Sequence, residues 1–157
     1  EYLGDSLMNC KHHFRGDYDK NEDDKKRGES CVSLEVLRRM MKQLMDALNY
    51  LHNEKKIIHT DLKLDNIMLT KKMHRIKKIE DFNLKIVDFG TSHNINEKSN
   101  YDIGTVEYNS PEMIIGFPYN TTTDIWSCGC IFFELLTYYL IDDNIIINLY
   151  SLFIENK

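Results

Sequence analysis

Apolar residues recur at helical spacing between positions 34 and 51: Leu34, Leu37, Met41, Leu44, Leu48 and Leu51, with Met40 and Met45 widening the stripe. The pattern predicts an amphipathic helix whose apolar face enters a core. Ser33 is placed to cap its start, and Glu35 puts an acid in the first turn, where the helix dipole favours one. Three strand-length apolar runs follow: Ile57-Ile58, Ile67-Met68-Leu69 and Leu84-Lys85-Ile86-Val87. Residues 91–111 show no clean periodicity. Residues 121–137 predict a largely buried helix, because Ile125, Trp126, Cys128, Ile131, Phe132, Leu135 and Leu136 cover most of its faces. Ile145–Ile154 reads as a further apolar helix.

Two segments interrupt this pattern. Residues 11–30 are dense in both charge signs and poor in aliphatics, so they bury too little apolar surface to offset their ordering entropy. They read as a loosely ordered charged insert. Residues 70–83, between the second and third strand-like runs, are long for a hairpin loop. They carry Lys71, Lys72, Arg75, Lys77 and Lys78, with Lys85 just beyond. The segment reads as an expanded surface connection, or as a docking patch for an acidic partner.

Composition narrows the classes. A chain of 157 residues with 42% apolar content forms one domain at most and has enough material for a core. The net charge of -5 gives no nucleic-acid footprint. No secretory leader and no apolar run of bilayer length is visible, so a non-membrane, intracellular protein, nuclear or cytoplasmic, is expected. Of the four cysteines, Cys10, Cys31, Cys128 and Cys130, the last two are separated by a single residue in an apolar run. That spacing fits small buried hydrophobes better than a zinc knuckle.

The chemistry concentrates in His59-Thr60-Asp61-Leu62-Lys63-Leu64-Asp65-Asn66, between two strand-like runs. It matches the pattern H-x-D-L-K-x-x-N, whose five fixed residues recur by chance on the order of once in a million registers. Asp88-Phe89-Gly90 follows directly after a strand-like run, then Gly104-Thr105-Val106-Glu107-Tyr108-Asn109-Ser110-Pro111-Glu112, then Asp124-Ile125-Trp126-Ser127-Cys128-Gly129. Alone, Asp-Phe-Gly is a common turn tripeptide and a Trp in an apolar helix is usually core. In this order and spacing, the four together resemble the catalytic loop, metal-binding turn, activation-segment end and long buried helix of eukaryotic protein kinases.

That resemblance implies an α+β, protein-kinase-like fold: a mainly helical C-terminal lobe with short β-hairpins, residues 1–157 forming a partial kinase domain without its N-terminal lobe. It implies ATP and Mg²⁺ as cofactors and protein hydroxyls as acceptors. Asp61 would orient the attacking hydroxyl, and Lys63 would place a cation on the transferring phosphate. Thr105 would hydrogen-bond near both. Asn66 and Asp88 would supply the hard oxygen ligands that Mg²⁺ needs. The hinge residues Glu1 and Leu3 would meet the adenine edge, Ser6 the ribose, and Met68 and Val87 the floor of the nucleotide pocket, with Asp65 beside them. Asp124 would bond the backbone of the catalytic loop, His59 and Phe89 would stack, and Glu112 would pair with an Arg from a later helix.

Lys63, two residues after Asp61, is the serine/threonine pattern. Thr60 replaces the Arg that normally meets an activation-loop phosphate, which makes Ser99 and Tyr101 weak candidates for a switch. His-Thr-Asp-Leu-Lys, preceded by Leu51-His52 and Ile57-Ile58, and the opening Glu1-Tyr2-Leu3-Gly4 resemble the LAMMER and SR-protein kinase families. Those families phosphorylate Arg/Ser-rich splicing factors, and LAMMER members also act on tyrosine. Asn109 departs from the Arg usual in that larger group. No G-x-G-x-x-G occurs in the sequence. Two function classes follow: a serine/threonine kinase active in full-length form and inactive as these residues alone, or a scaffold built on a degenerate kinase fold.

Overall fold

The computed structural model describes residues 3–10, 34–97 and 104–140. Glu1, the charged insert at 11–30, Cys31, Ser33, Ser99, Tyr101 and the helix expected at Ile145–Ile154 lie outside the described residues.

Residues 3–6 run beside a strand of the core. Gly4 N donates to Leu69 O at 2.7 Å, Leu69 N donates to Asp5 O at 2.9 Å, and Ser6 bridges Met68. A side chain on Gly4 would place its Cβ 2.0 Å from Lys71 O, so only glycine allows this approach. The chain then turns into α1, Leu7–Cys10, with Leu7 and Cys10 buried.

The long stripe forms α2, Leu34–Asn49. Leu37, Met40, Leu44 and Leu48 are buried, but Met41 is 44% exposed. The burial is therefore centred on the Met40 side of the helix and leaves Met41 in solvent, the reverse of their expected ranking. The cause is tertiary. Arg39 and Gln43, flanking Met40, are tied to residues 80–84 and turn that side inward. Arg39 Nε donates to Phe82 O at 2.9 Å, and its Nη2 donates to Glu80 O at 3.2 Å and Asn83 Oδ1 at 2.9 Å. Gln43 Nε2 donates to Phe82 O at 2.8 Å, while its carbonyl accepts from Leu84 N at 2.9 Å.

A wide π-helical turn, Tyr50–Lys55, follows and ends at Lys56, whose φ of 57° reverses the chain. Two small antiparallel sheets come next. β1 (Ile57–Ile58) pairs with β4 (His93–Asn94), and β2 (Ile67–Leu69) pairs with β3 (Leu84–Ile86) in the register Ile67↔Ile86 to Leu69↔Leu84. The expected third strand thus stops one residue short, before Val87. β4 falls where no periodicity is visible, because a two-residue polar strand has no alternation to show. The connection between β2 and β3 is folded: it makes 3₁₀ turns at Met73–Arg75 and Ile79–Asp81, and Phe82 is buried.

After β4 come a 3₁₀ turn at Val106–Tyr108, the short α3 (Pro111–Ile114) and the long α4 (Thr122–Leu140). α4 is not buried on most faces. Cys128, Ile131, Phe132 and Leu135 enter the core, whereas Ile125, Trp126 and Phe133 are about half exposed. The face turned inward near its start is polar, made by Thr123, Asp124 and Ser127. Hydropathy misses this, since it assigns apolar residues to the interior. α2, β2, β3 and α4 share one core cluster.

Cys10 and Cys128 behave as buried hydrophobes. Desolvation first, and the nearby Asp5 and Asp124 carboxylates second, push their thiols up to about 11 and about 12. Cys130 is only partly buried. Among the described residues no helix is long and apolar enough to cross a membrane.

Arg39→Ala removes three hydrogen bonds to residues 80–83. We expect a loss of about 2 kcal/mol in unfolding free energy, read by urea denaturation, with secondary structure content unchanged.

Candidate active site

The loop between β1 and β2 holds the residues that the sequence motif singles out. His59 is fully buried and bonds on both ring nitrogens. Its Nε2 lies 3.0 Å from Val87 O, and Asp61 N donates to Nδ1 at 3.3 Å. This arrangement requires the hydrogen on Nε2 and the lone pair on Nδ1. The His59 ring meets Phe89 edge-on at 4.9 Å between centroids. The imidazole therefore joins the loop to the Asp88-Phe89-Gly90 turn.

Beneath the loop sits Asp124, wholly buried in the first turn of α4. Its Oδ2 accepts from His59 N at 2.9 Å and from His52 Nε2 at 2.7 Å, and its Oδ1 accepts from Thr60 N at 2.9 Å. A buried carboxylate is tolerable only when so many donors replace water. Nothing in the sequence pattern gives His52 this role. Its partner lies 72 residues away, and a His on the apolar side of a helix gives no local sign of one.

Thr60 has a φ of 69°, a conformation costly for a β-branched residue. The surroundings enforce it. Asp124 holds its N–H, its Oγ1 lies 3.1 Å from both the carbonyl and the hydroxyl oxygen of Thr91, and Gly104 packs against its carbonyl. Gly104 itself has a φ of +93°, and a Cβ there would lie 2.6 Å from Thr60 O. Thr91 is a second residue of the site that sequence alone does not reveal.

Above the loop, three side chains close a triangle. Thr105 Oγ1 donates to Asp61 Oδ1 at 2.8 Å, Lys63 Nζ donates to Thr105 Oγ1 at 2.8 Å, and Lys63 Nζ lies 3.0 Å from Asp61 Oδ2. Asn66 Nδ2 donates to Asp61 O at 2.8 Å and to Asp61 Oδ2 at 3.1 Å. Burial pushes the Asp61 carboxyl up, but Lys63, Thr105 and Asn66 together outweigh it and hold the group below its ordinary range. Asp61 is therefore an ionised carboxylate at neutral pH.

Asn66 and Asp88 are brought together by the β2–β3 pairing. Ile67 stands opposite Ile86, and Val87 N donates to Asn66 O at 2.9 Å, so Asp88 follows directly beside Asn66. Asp88 is exposed, with a φ of 62°. Both bonds from the Asn66 side chain use its nitrogen, which leaves the carbonyl oxygen for a cation. One amide oxygen and one exposed carboxylate fit Mg²⁺, which takes few protein ligands and completes its shell with water and phosphate. No cluster of three or more His, Cys, Asp or Glu side chains forms a denser metal site among the described residues. Met68, in the middle of β2, and Val87, just after β3, are half-buried, Leu3 is half-buried, and Asp65 is exposed beside Asn66. The Ser6 hydroxyl accepts from Asn9 N at 3.3 Å and so caps α1.

The family description "Protein kinase domain" matches residues 11–148, and the chain belongs to that family. It is 37% identical over 113 residues to "Dual specificity tyrosine-phosphorylation-regulated kinase 2" of Drosophila melanogaster, covering 72% of this chain and 14% of that protein. It is 44% identical over 96 residues to "Serine/threonine-protein kinase nekl-2" of Caenorhabditis elegans, covering 60% of this chain and 24% of that protein. It is 31% identical over 122 residues to "Serine/threonine-protein kinase AFC1" of Arabidopsis thaliana, covering 65% of this chain and 26% of that protein. The chain thus spans about a quarter or less of the length of these relatives.

Two outcomes test the site. Asp124→Ala leaves His52 and two loop N–H groups buried without an acceptor, and we expect a loss of about 3–5 kcal/mol by chemical denaturation. Thr105→Val removes one donor from Asp61. Because the native Asp61 carboxyl titrates below its unfolded value, it stabilises the fold above the ordinary carboxylate range, and that contribution is lost as pH falls through the depressed value. The variant therefore shows a higher Asp61 midpoint by carboxyl NMR and begins acid unfolding at a higher pH.

Proposed function

We propose that this chain is the catalytic part of a protein serine/threonine kinase that transfers phosphate to hydroxyl groups of protein substrates. The observation that carries the reading is the Asp61–Thr105–Lys63 triangle on a loop pinned by Asp124. An ionised carboxylate stands with a cation 3.0 Å away, held by the hydroxyl of Thr105.

In this reading MgATP supplies the phosphoryl group. Asp61 accepts a hydrogen bond from the substrate hydroxyl, orienting its lone pair for attack and taking its proton as the new bond forms. Lys63 stabilises negative charge that builds on the transferring oxygens. Thr105 bridges the Asp61–Lys63 ion pair, accepting from the ammonium and donating to the carboxylate, and closes the substrate side. Asn66 and Asp88 would hold the cation, and Met68, Val87 and Leu3 would line the nucleotide side.

The finer reading is a LAMMER-like enzyme acting on Arg/Ser-rich proteins inside the cell. The His-Thr-Asp-Leu-Lys loop supports it, and the similarity to a relative named as dual-specificity fits action on tyrosine as well. The neutral bonds of Thr60 to Thr91 support operation without an activation-loop phosphate, since Thr60 stands where an Arg would meet one.

Within a longer protein that supplies a Gly-rich loop and a strand Lys, Asp61→Asn lowers kcat by about 10²–10⁴-fold with little change in the KM for ATP. For these 157 residues alone we expect no transfer to an Arg/Ser-rich peptide. Unchanged turnover in the Asn variant overturns the role of Asp61. Nucleotide binding without turnover in the longer protein identifies a scaffold instead.

A further inference from the structure

We propose that the connection between β2 and β3 is a docking surface for an acidic segment of a partner protein. It stands apart from the 59–66 loop, and the case for it does not use the kinase reading.

Charge is the first observation. Residues 70–83 carry Lys71, Lys72, Arg75, Lys77 and Lys78 against only Glu80 and Asp81, in a chain whose net charge is -5. Lys71 is paired with Asp81. That lysine, followed by the backbone N–H of Lys77, holds the Asp81 carboxyl below its ordinary range. Lys72, Arg75, Lys77 and Lys78 are exposed, and their side chains enter no hydrogen bond or ion pair among the described residues. Clustering like charges this way costs repulsion that an arriving anion relieves.

Rigidity is the second. A loop that served only for solubility would need no frame, yet this one has one on each side. Arg39 and Gln43 of α2 grip the carbonyls of Glu80 and Phe82, the Asp5 carboxylate accepts from Met73 N at 2.8 Å, and Gly4 lies directly against Lys71 O. Met73, Ile76 and Phe82 root the segment in the core. The cations are therefore carried on backbone that is already ordered, so binding an extended anion costs little further loop entropy.

Size and field select the partner. A duplex nucleic acid or an anionic bilayer spreads its charge over a whole face of the protein and meets the net negative charge of the rest. An acidic peptide meets only what lies within a Debye length, about 8 Å at physiological salt, and so feels the local positive patch.

The test is fluorescence anisotropy of a short fluorescein-labelled poly-glutamate peptide titrated with the full chain. The combined charge reversal Arg75→Glu, Lys77→Glu, Lys78→Glu weakens binding by about tenfold or more, and the neutral pair Lys77→Gln, Lys78→Gln weakens it severalfold. Lys55→Glu, at an exposed lysine beyond the C-terminal end of α2, leaves it unchanged. Binding also falls as salt rises toward about 0.15 M. Circular dichroism checks that each variant is folded, and the neutral pair decides the outcome should the reversal not fold. Equal peptide affinity in wild type and the neutral pair overturns the proposal. So does tighter binding, through these same lysines, of a DNA duplex or of phosphatidylserine vesicles than of the peptide.

Discussion

Asp124, buried in the first turn of α4, receives donors from His52, His59 and Thr60, which lie 64 to 72 residues earlier in the chain. Removing a charge from water is expensive, and only a complete set of donors makes it tolerable. The consequence is geometric. Two successive backbone N–H groups on a single carboxylate dictate the path of the loop between β1 and β2, including a left-handed turn at Thr60 that its side chain disfavours. α4 supplies a rigid base for this because Cys128, Ile131 and Leu135 anchor it in the core.

The chemistry of the loop follows from that path. Once Thr60 is turned, Asp61 and Lys63 face the same side and Thr105 bridges them. The segment carrying Thr105 is drawn in by a second close contact, Gly104 against Thr60 O, where any side chain would clash. His59 adds the link to the end of β3 through Val87 O and Phe89. The loop, the Asn66–Asp88 pair and the Gly104–Thr105 turn are therefore one connected unit, and strain at Thr60 is retained because its neighbours determine it from three directions. Such over-determination is the physical form that preorganisation takes.

The opposite side of the hairpin has a different logic. There the polar residues of α2, Arg39 and Gln43, direct their hydrogen bonds to a surface connection rather than to solvent. This inverts the usual reading of an amphipathic helix, whose polar edge is taken as wet. It explains why Met40 rather than Met41 is buried, and why a long basic segment is ordered as a platform.

Local chemistry was legible in the residues themselves. The positions of Asp61, Lys63, Asn66 and Asp88, the strand character of Ile67–Leu69 and Leu84–Ile86, and the long stripe of α2 depend on residue type and spacing, which the chain states directly. The cysteines likewise read as buried apolar groups, as Cys10 and Cys128 are. What tertiary structure alone decided concerns partners distant in sequence. The His52–Asp124 bond, the Thr60–Thr91 contact, the two-residue strand at His93–Asn94, the polar inner face of α4 and the inward turn of Met40 leave no periodic trace. Each depends on a donor or a packing surface supplied from elsewhere in the chain. A one-dimensional pattern reports what a residue prefers, while the fold reports which of its competing preferences is satisfied.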